Sequence, residues 1–484
     1  MKKMLLFLWI CLMCNALTGQ GTGTLYYVPP SGANNIVRHE PVTGKHIVYS
    51  QKIGLSGIES HFLLTDMTNA IDALINIPDS YTITDFEIFD NYVVFGGYYY
   101  YGSGNTGIVG WFDIDSFFYY GVSARVDISM YTLGMESVEN IEIFRDLSGY
   151  VHIVGYGKTA TPPGAAGTYY RAFEAIGNLP GLFNWRTSAL WRYGIFSDIV
   201  DMTVTDDFVV FLGWERASNY YDGIGVTLHP FPKYNMLSST TTTAYFFQLL
   251  TYINYPTMPD NIDPINSPRI THSRGNNVSV CSYRQDKDPS HPMGNGIYYL
   301  SHWIFDVSPC LGGLPVQMVS AATVLMPGNV NSIVDLEYDA NSSSYVVLHS
   351  HELSVGATEY AISTIDFSSG SIPAYIVSDY QSAYNTVNYW HPNSMCLDGM
   401  SDYTVSGWKQ SGYDHVLWHN LINTVSGNCS RSIQYPMLPQ DLMEQKEQFS
   451  PADLLGWRKL TFGMGWPVII YNFPCIELCS PNSK

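Results

Sequence analysis

The fold class this sequence predicts is all-β: a seven-bladed β-propeller of four-stranded antiparallel blades, with a short C-terminal extension. Three observations predict it. A phrase of about eight residues recurs seven times: NYVVFGGY at Asn91 to Tyr98, GYVHIVGY at Gly149 to Tyr156, DFVVFLGW at Asp207 to Trp214 and SYVVLHSH at Ser344 to His351. Looser copies stand at Gly44 to Gln51 (GKHIVYSQ), Asn276 to Tyr283 (NNVSVCSY) and Asp402 to Trp408 (DYTVSGW). The last residues of successive copies are 47, 58, 58, 69, 68 and 57 positions apart, near the period at which each repeat makes one four-stranded blade. The chain is also 46% hydrophobic and only 13% charged, which supplies a core for a single closed body of roughly four hundred residues.

In chain order, Met1 to Cys14 joins Lys2 and Lys3 to the apolar run LLFLWICLMC. That pattern fits a secretory signal peptide, taken as residues 1–19 with cleavage among Ala16 to Gln20, and the run is too short to span a bilayer. Residues 24–435 form the propeller. Its clearest unit alternates at Ile83 to Phe89, then supplies strands at Tyr92 to Tyr98, Ile108 to Ile114 and Val122 to Ile128, separated by Gly, Asn and Asp. The same order recurs from Val138, Ile199, Pro268, Ser332 and Thr386, with a diverged copy from Asn34 to about Ile75. A ring of blades needs closing, and Leu25 to Val28 (LYYV) is the candidate closing strand for the last one. Residues 436–484 are an extension packing on or closing the propeller. Within it Pro436 to Leu455 reads as a short helical excursion, while Leu460 to Phe462 and Val468 to Phe473 are rival closing strands.

The formal net charge is −19, a surface that repels nucleic acid and anionic lipid and keeps an exported protein in solution. No later segment is long and apolar enough to be a transmembrane helix. The expected location is therefore the periplasm, the cell surface or the extracellular space. Of the eight cysteines, six remain once Cys11 and Cys14 leave with the leader, and an even count in an exported chain suits disulfides. The expected pairs are Cys396–Cys429, Cys475–Cys479 and Cys281–Cys310.

Loops between second and third strands emerge on the face where the chain crosses from blade to blade. They read YYYYGSGNTG (Tyr98 to Gly107), GKTATPPGAAGT (Gly157 to Thr168), ERASNYYDG (Glu215 to Gly223) and RQDKDPSHPMGNG (Arg284 to Gly296). Long aromatic loops on one rim make a binding surface, and the flat face and hydroxyl of tyrosine suit a sugar ring or a peptide segment. The candidate ligand-binding residues are Tyr98, Tyr99, Tyr100, Tyr220, Tyr221, Asp222, Arg284, His351, Trp408 and Lys409. Tyr98, Tyr156, Trp214, Tyr283, His351 and Trp408 recur at nearly equivalent places at the ends of second strands, which argues for packing between blades, because a ligand site seldom needs the same group in every repeat, and that ring reads as structural.

A second ring lies on the innermost strands, where Asp85, Asn140, Asp201, Arg269, Asp335 and Asn388 align and Glu87, Glu142 and Glu337 follow on the same side. Such carboxylates could hold calcium or satisfy backbone amides at the blade crossings. Arg269 interrupts the acidic series and no Asp-x-Asp-x-Asp loop occurs, so the ring reads as structural, with no cofactor and no metal. His349 and His351, with Glu352 following, lack a third metal ligand at fixed spacing and read as a solvated rim pair. The group Asp286, Asp288 and His291 is similarly suggestive of metal binding and unspecific.

No G-x-S-x-G, H-E-x-x-H or phosphate-loop motif occurs. At the NYVVFGGY and DFVVFLGW phrases the chain resembles secreted bacterial β-propeller repeat proteins, from about Asn34 to Tyr435. The sialidase box and regular Trp-Asp blade endings are missing, and only Gly96-Gly97 and Gly312-Gly313 stand in for the repeated double glycine of kelch blades, so the resemblance implies a rigid exported scaffold and carries over no catalytic residue. The expected function is non-catalytic binding of a glycan or an extended protein segment on the aromatic rim. The rivals are a glycosidase or lyase using Asp85, Asp201 and Asp335 across the pore, and a structural part of an envelope assembly.

Overall fold

The computed structural model describes residues 24–469 apart from 29–33, 55–56, 66–70, 103, 119–124, 127, 161–168, 182, 188–190, 193–196, 217–222, 237–241, 250–264, 287–296, 315, 327–328, 355–356, 367–374, 382–389, 399–401, 410–413, 422–429, 440–441 and 450–465. The predicted leader therefore lies outside the described residues. So do Tyr220, Tyr221, Asp222, Asn388, Cys429, Cys475, Cys479, Asp288 and His291.

The protein is an all-β propeller. Three short 3-10 segments, Ile114–Phe118, Lys233–Asn235 and Ser308–Gly312, are the only helices among the described residues. Every copy of the repeated phrase is the second strand of its unit: Lys45–Gly54, Tyr92–Tyr101, Val151–Thr159, Phe208–Arg216, Asn277–Asp286, Ser344–Ser354 and Asp402–Lys409. Each pairs antiparallel with an inner strand before it. The inner strands are Asn34–Glu40, Tyr81–Phe89, Ser137–Arg145, Ser197–Val204, Ile265–His272, Asn329–Asp339 and Trp390–Leu397. Consecutive inner strands are neighbours, and the last lies beside the first, so they enclose a central channel.

The phrase works because its period-two alternation serves two neighbours at once. In the second unit Val93 and Phe95 pack with Ile47, Phe62 and Phe86 toward the first unit, while Val94 packs with Trp111, Ile141 and Phe173 toward the third. In the fourth unit Val209 and Phe211 join Phe144 and Tyr156 behind, whereas Val210 and Leu212 join Val280 and Trp303 ahead. Fully burying one such side chain is worth about 1.5–3 kcal/mol. The core is thus a series of slabs between units, and no unit is complete without the next.

Six blades are detected where seven were expected, and the four-strand rule holds only in part. The third unit has a fifth strand, because Phe183–Thr187 and Trp191–Arg192 both pair with Tyr169–Gly177. C-terminal strands account for the larger departure. Ser430–Pro439 pairs with Gln317–Met326 of the fifth unit and with Tyr375–Gln381 of the sixth. Gly223 of the fourth unit pairs with Ile265 of the fifth, so these units run together as one 14-stranded sheet.

That strand corrects the helical reading of Pro436 to Leu455. Ser430–Pro439 is extended, and so is Leu442–Phe449, which pairs along its length with Thr242–Leu249. Unpaired outer edges offer rows of N–H and C=O groups that an extended segment satisfies and a helix does not. Trp466–Ile469 likewise pairs with the outer strand Ile71–Ile77 and with Arg125–Val126. At the other end of the chain, Thr24–Val28 pairs with Asp414–Leu421, completing a four-stranded sheet in the seventh unit. Leu460 to Phe462 lies outside the described residues.

Candidate functional site

The central channel is built by one device used repeatedly. In the second to seventh units the inner strand carries a register irregularity just before a fixed position, at Ile83/Asp85, Val138/Asn140, Ile199/Asp201, Asn266/Arg269, Ile333/Asp335 and Pro392/Ser394. A bulge of this kind re-aims the following side chain. Where that residue is aspartate, it spans two units. Asp85 accepts the backbone N–H of Phe86 with Oδ1 at 2.9 Å and that of Ile141, in the next unit, with Oδ2 at 3.0 Å. Asp201 does the same for Met202 (2.9 Å) and Ile270 (3.0 Å), and Asp335 for Leu336 (2.9 Å) and Met395 (2.8 Å).

The remaining positions differ in kind. Arg269 donates through Nε to the carbonyl of Val334 at 2.9 Å. Ser394 Oγ accepts the Val37 N–H at 3.1 Å, and Asn35 Nδ2 donates to the Gly407 carbonyl at 3.1 Å, which together join the seventh unit to the first. Ser394 therefore occupies the place expected of Asn388. The first unit has Ile36 in register with Tyr49 and no bulge, and it has no acceptor to aim.

Two residues beyond each of these positions a second layer faces the channel: Arg38, Glu87, Glu142, Thr203, Thr271, Glu337 and Cys396. With Asp85, Asp201 and Asp335 they line a cavity of about 460 Å³. Pro41, Ile88 and Leu397 also line it, which sets it toward the ends of the inner strands, near the turns into the second strands. Arg38 reaches from the first unit to the second, its Nη2 to Asp85 Oδ1 at 2.9 Å and its Nε to Glu87 Oε1 at 2.8 Å.

Six carboxylates and one guanidinium line this space, and the electrostatics follow from that imbalance. Burial pushes the Asp85 carboxyl up to about 7, with Arg38 opposing and Glu87 adding. Asp201 rises to about 6 through burial, against Arg269. Glu337 rises to about 8 through burial and then repulsion from Asp335. Glu142 stands well above the carboxylate range for the same first reason, reinforced by Glu87 and Asp85. Among the described residues no three acidic, imidazole or thiol side chains converge closely enough to hold a metal ion.

The aromatic rim is only partly on view. Tyr98, Tyr99 and Tyr100 do not lie in a long loop: the strand runs to Tyr101 and its partner starts at Gly104. Tyr100 is 57% exposed, and Tyr99 packs on Tyr81 with ring centroids 4.7 Å apart. Because Tyr81 pairs with Tyr99 and Phe89 with Tyr92, these tyrosines stand at the opposite end of the inner strand from the cavity. Arg284, His351, Trp408 and Lys409 are placed on second strands of the fifth, sixth and seventh units.

Other residues of the recurrent ring are packing groups. Tyr156 is buried and packs against Tyr170 and Phe211, while Trp214 and Tyr283 lie against core clusters. His349 is fully buried and meets Ser363 at 2.9 Å, which corrects its reading as a solvated rim residue. The disulfide expectations fail where they fall on described residues. Cys281, Cys310 and Cys396 all carry thiols. Cys281 is buried among Leu300, Leu336 and Val347, and Cys396 lines the channel, so neither is placed as a surface loop staple.

Arg38, Thr203, Thr271 and Cys396 are site residues that sequence reading missed. The signal for them was positional, two residues after the aligned ring. Arg38 hides because its unit lacks the acidic landmark. No protein-family model matches this chain, and no curated protein matches it.

Proposed function

We propose that this protein is an exported, non-catalytic binding propeller, its seven repeat units acting as spokes of one ring, that recognises a glycan or an extended protein segment through the aromatic rim. The observation that carries the non-catalytic part is the commitment of the channel aspartates. A pore-based glycosidase needs one carboxylate to protonate the leaving group and a second to act as base or nucleophile. Asp85, Asp201 and Asp335 each have both oxygens engaged by backbone N–H groups of two units. In that role they hold the ring together, and moving one to a substrate would orphan a buried amide.

Support for the rim comes from the Tyr81, Tyr99 and Tyr100 edge, where one ring packs tilted against another and a third faces solvent. The test is a glycan array and an extended-peptide library screened with the full chain. Binding without turnover that is lost in Tyr99→Ala and Tyr100→Ala is the expected result. Product release abolished by Glu142→Gln would overturn it.

A further inference from the structure

We propose that residues 146–150, the turn between the inner and second strands of the third unit, form a pH-gated latch. His152 holds this turn to the body of the unit while the side chains of Asp146, His152 and Glu174 keep two protons between them, and the turn is released when one proton is lost. The device does not depend on the rim reading.

Geometry carries this. His152 lies on the second strand Val151–Thr159 with its side chain only 3% exposed. Its Nε2 is 3.2 Å from Asp146 Oδ2, and its Nδ1 is 3.4 Å from Glu174 Oε1. An ionised carboxylate only accepts, and a neutral imidazole donates from one nitrogen alone. Both contacts therefore need two protons among three side chains, one more than a neutral imidazole brings. As the imidazolium, His152 donates to a carboxylate from each nitrogen. Phe144, stacked on the ring with centroids 4.8 Å apart and planes 11° apart, and Tyr234, set nearly perpendicular at 6.2 Å, keep it in that orientation. Burial works against a charge on the imidazole, but the hydrogen bonds to Glu174 and Asp146 outweigh it and hold the group above its ordinary value.

The two contacts are unequal once a proton leaves. Glu174 is 1% exposed, its Oε2 has no hydrogen-bond partner, and His152 is the one polar group meeting its Oε1 among the described residues. Without His152 it is a buried charge with nothing to offset it. Asp146 is 18% exposed, and its Oδ1 still accepts the Ser148 and Tyr150 N–H groups, each at 2.8 Å. The remaining proton therefore stays on Nδ1, facing Glu174. The Nε2 lone pair is then turned toward the Asp146 carboxylate, which it repels, and the lost proton goes to solvent. Asp146 swings free, and the turn, with the fully exposed Leu147 at its tip, loses its tie to the strand.

Other charged or titratable groups surround the trio. Arg145 and Tyr150 flank the turn, Glu142 lies farther along the inner strand, and Arg171 is on the third strand Tyr169–Gly177. Lys233 and Tyr234 come from the fourth unit, with Asp206 and Asp207 near Lys233. Arg145 is paired with Asp90 and donates to the Gly149 carbonyl. Lys233 donates to the Thr205 carbonyl and lies over Phe144, while Lys158 pairs with Glu139 at the far end of the strand. None of these cations bonds Asp146 or Glu174, so the cation between those carboxylates is His152.

The experiment follows the full chain from pH 6 to pH 9. Ring-nitrogen resonances of 15N-labelled histidine, with those of His152 assigned by their loss in His152→Gln, are expected to show both nitrogens protonated at pH 6. Past the transition the hydrogen remains on Nδ1, the tautomer that free histidine disfavours. Amide exchange of residues 146–150, corrected for its intrinsic pH dependence, loses protection by up to about tenfold per pH unit for one linked proton. The Ile114 amide, bonded to the Asn91 carbonyl in the second unit, is the control and keeps its protection. Asp146→Asn abolishes the slope, because its Nδ2 donates to a neutral Nε2 while Oδ1 keeps the turn amides. Glu174→Gln removes the buried charge and moves the transition to lower pH.

A single protonated nitrogen at pH 6, hydrogen retained on Nε2 at pH 9, or no change between the two would overturn the proposal. So would a slope that persists in Asp146→Asn or appears equally at Ile114. Should Asp146→Asn not fold, the ring-nitrogen shifts of the parent decide it.

Discussion

Asp201 Oδ2 accepts the backbone N–H of Ile270 at 3.0 Å, although 69 residues separate them in the chain. One side chain thereby fixes the height at which the fifth unit sits beside the fourth. Removing it by Asp201→Ala leaves two amides, those of Met202 and Ile270, without their acceptor. We expect a loss of about 1–3 kcal/mol in urea unfolding. Asp335→Ala is expected to cost a similar amount. Asp85→Ala costs more, because it also takes a partner from the half-buried Arg38 guanidinium.

The bulge that aims these aspartates needs a small residue opposite it. A Cβ built on Gly97 would lie 2.0 Å from the Thr82 carbonyl oxygen, and one on Gly157, opposite the bulge of the third unit, would lie 2.1 Å from that of Ser137. Both obstacles are backbone, so neither relaxes by a rotamer change. Gly97→Ala and Gly157→Ala are each expected to lower the denaturation midpoint by an amount equivalent to about 2–3 kcal/mol. Gly104→Ala, where nothing lies within 4 Å, is the control and is expected to stay within about 0.5 kcal/mol of the parent.

These two results explain what could be read from the sequence and what could not. The phrase N-Y-V-V-F-G-G-Y was legible because three constraints coincide in it: alternation that packs against two neighbours, a small residue opposite a bulge, and an aromatic residue after it. The aligned Asp85, Asn140, Asp201, Arg269 and Asp335 were legible for the same reason. Register failed in the seventh unit, where Ser394 and not Asn388 has the ring position, because the residue there is neither acidic nor preceded by a clear alternation. Arg38 was invisible because its role depends on carboxylates 47 and 49 residues away. The E-Q-K-E-Q stretch misled toward helix, since its composition favours one and the exposed strand edge it pairs with is a tertiary fact. Cysteine spacing says nothing of Cα separation, so the buried Cys281 could not be excluded as a disulfide partner.

Several buried histidines should make the fold acid-sensitive. Burial lowers His61 to about 4 and lowers His229 and His302 to about 3. A folded-state value below the unfolded value of about 6.5 means the unfolded chain takes up the proton first. The stability these groups allow is complete above pH 6.5 and is lost as pH falls toward 3–4. His61 is the cleanest probe, because burial is the cause of its shift. His61→Leu is expected to change stability little at pH 7 and to recover about 2 kcal/mol at pH 5, measured by urea unfolding at both pH values. Equal effects at the two pH values would count against a titration origin.

The channel glutamates should act in the opposite direction. Glu337 has its folded-state value raised to about 8 from 4.5, so the native state holds its proton longer than the unfolded chain does. Its contribution is fully present below about pH 4.5 and is lost as pH rises through about 8. Glu337→Gln keeps the shape and hydrogen-bonding capacity of the protonated acid but cannot ionise. We expect it to leave the melting temperature near the parent value at pH 5 and to raise stability by on the order of 2 kcal/mol at pH 8, a figure reduced for solvent in the channel. Glu142→Gln should behave alike, burial and repulsion from Glu87 and Asp85 being the cause there too. The two substitutions should not add fully, since removing either charge relieves part of the repulsion on the other side chains of the ring. The measurement is a thermal melt of parent, single and double variants at pH 5 and pH 8. A gain at pH 5 equal to that at pH 8 would place their effect in packing and not in charge.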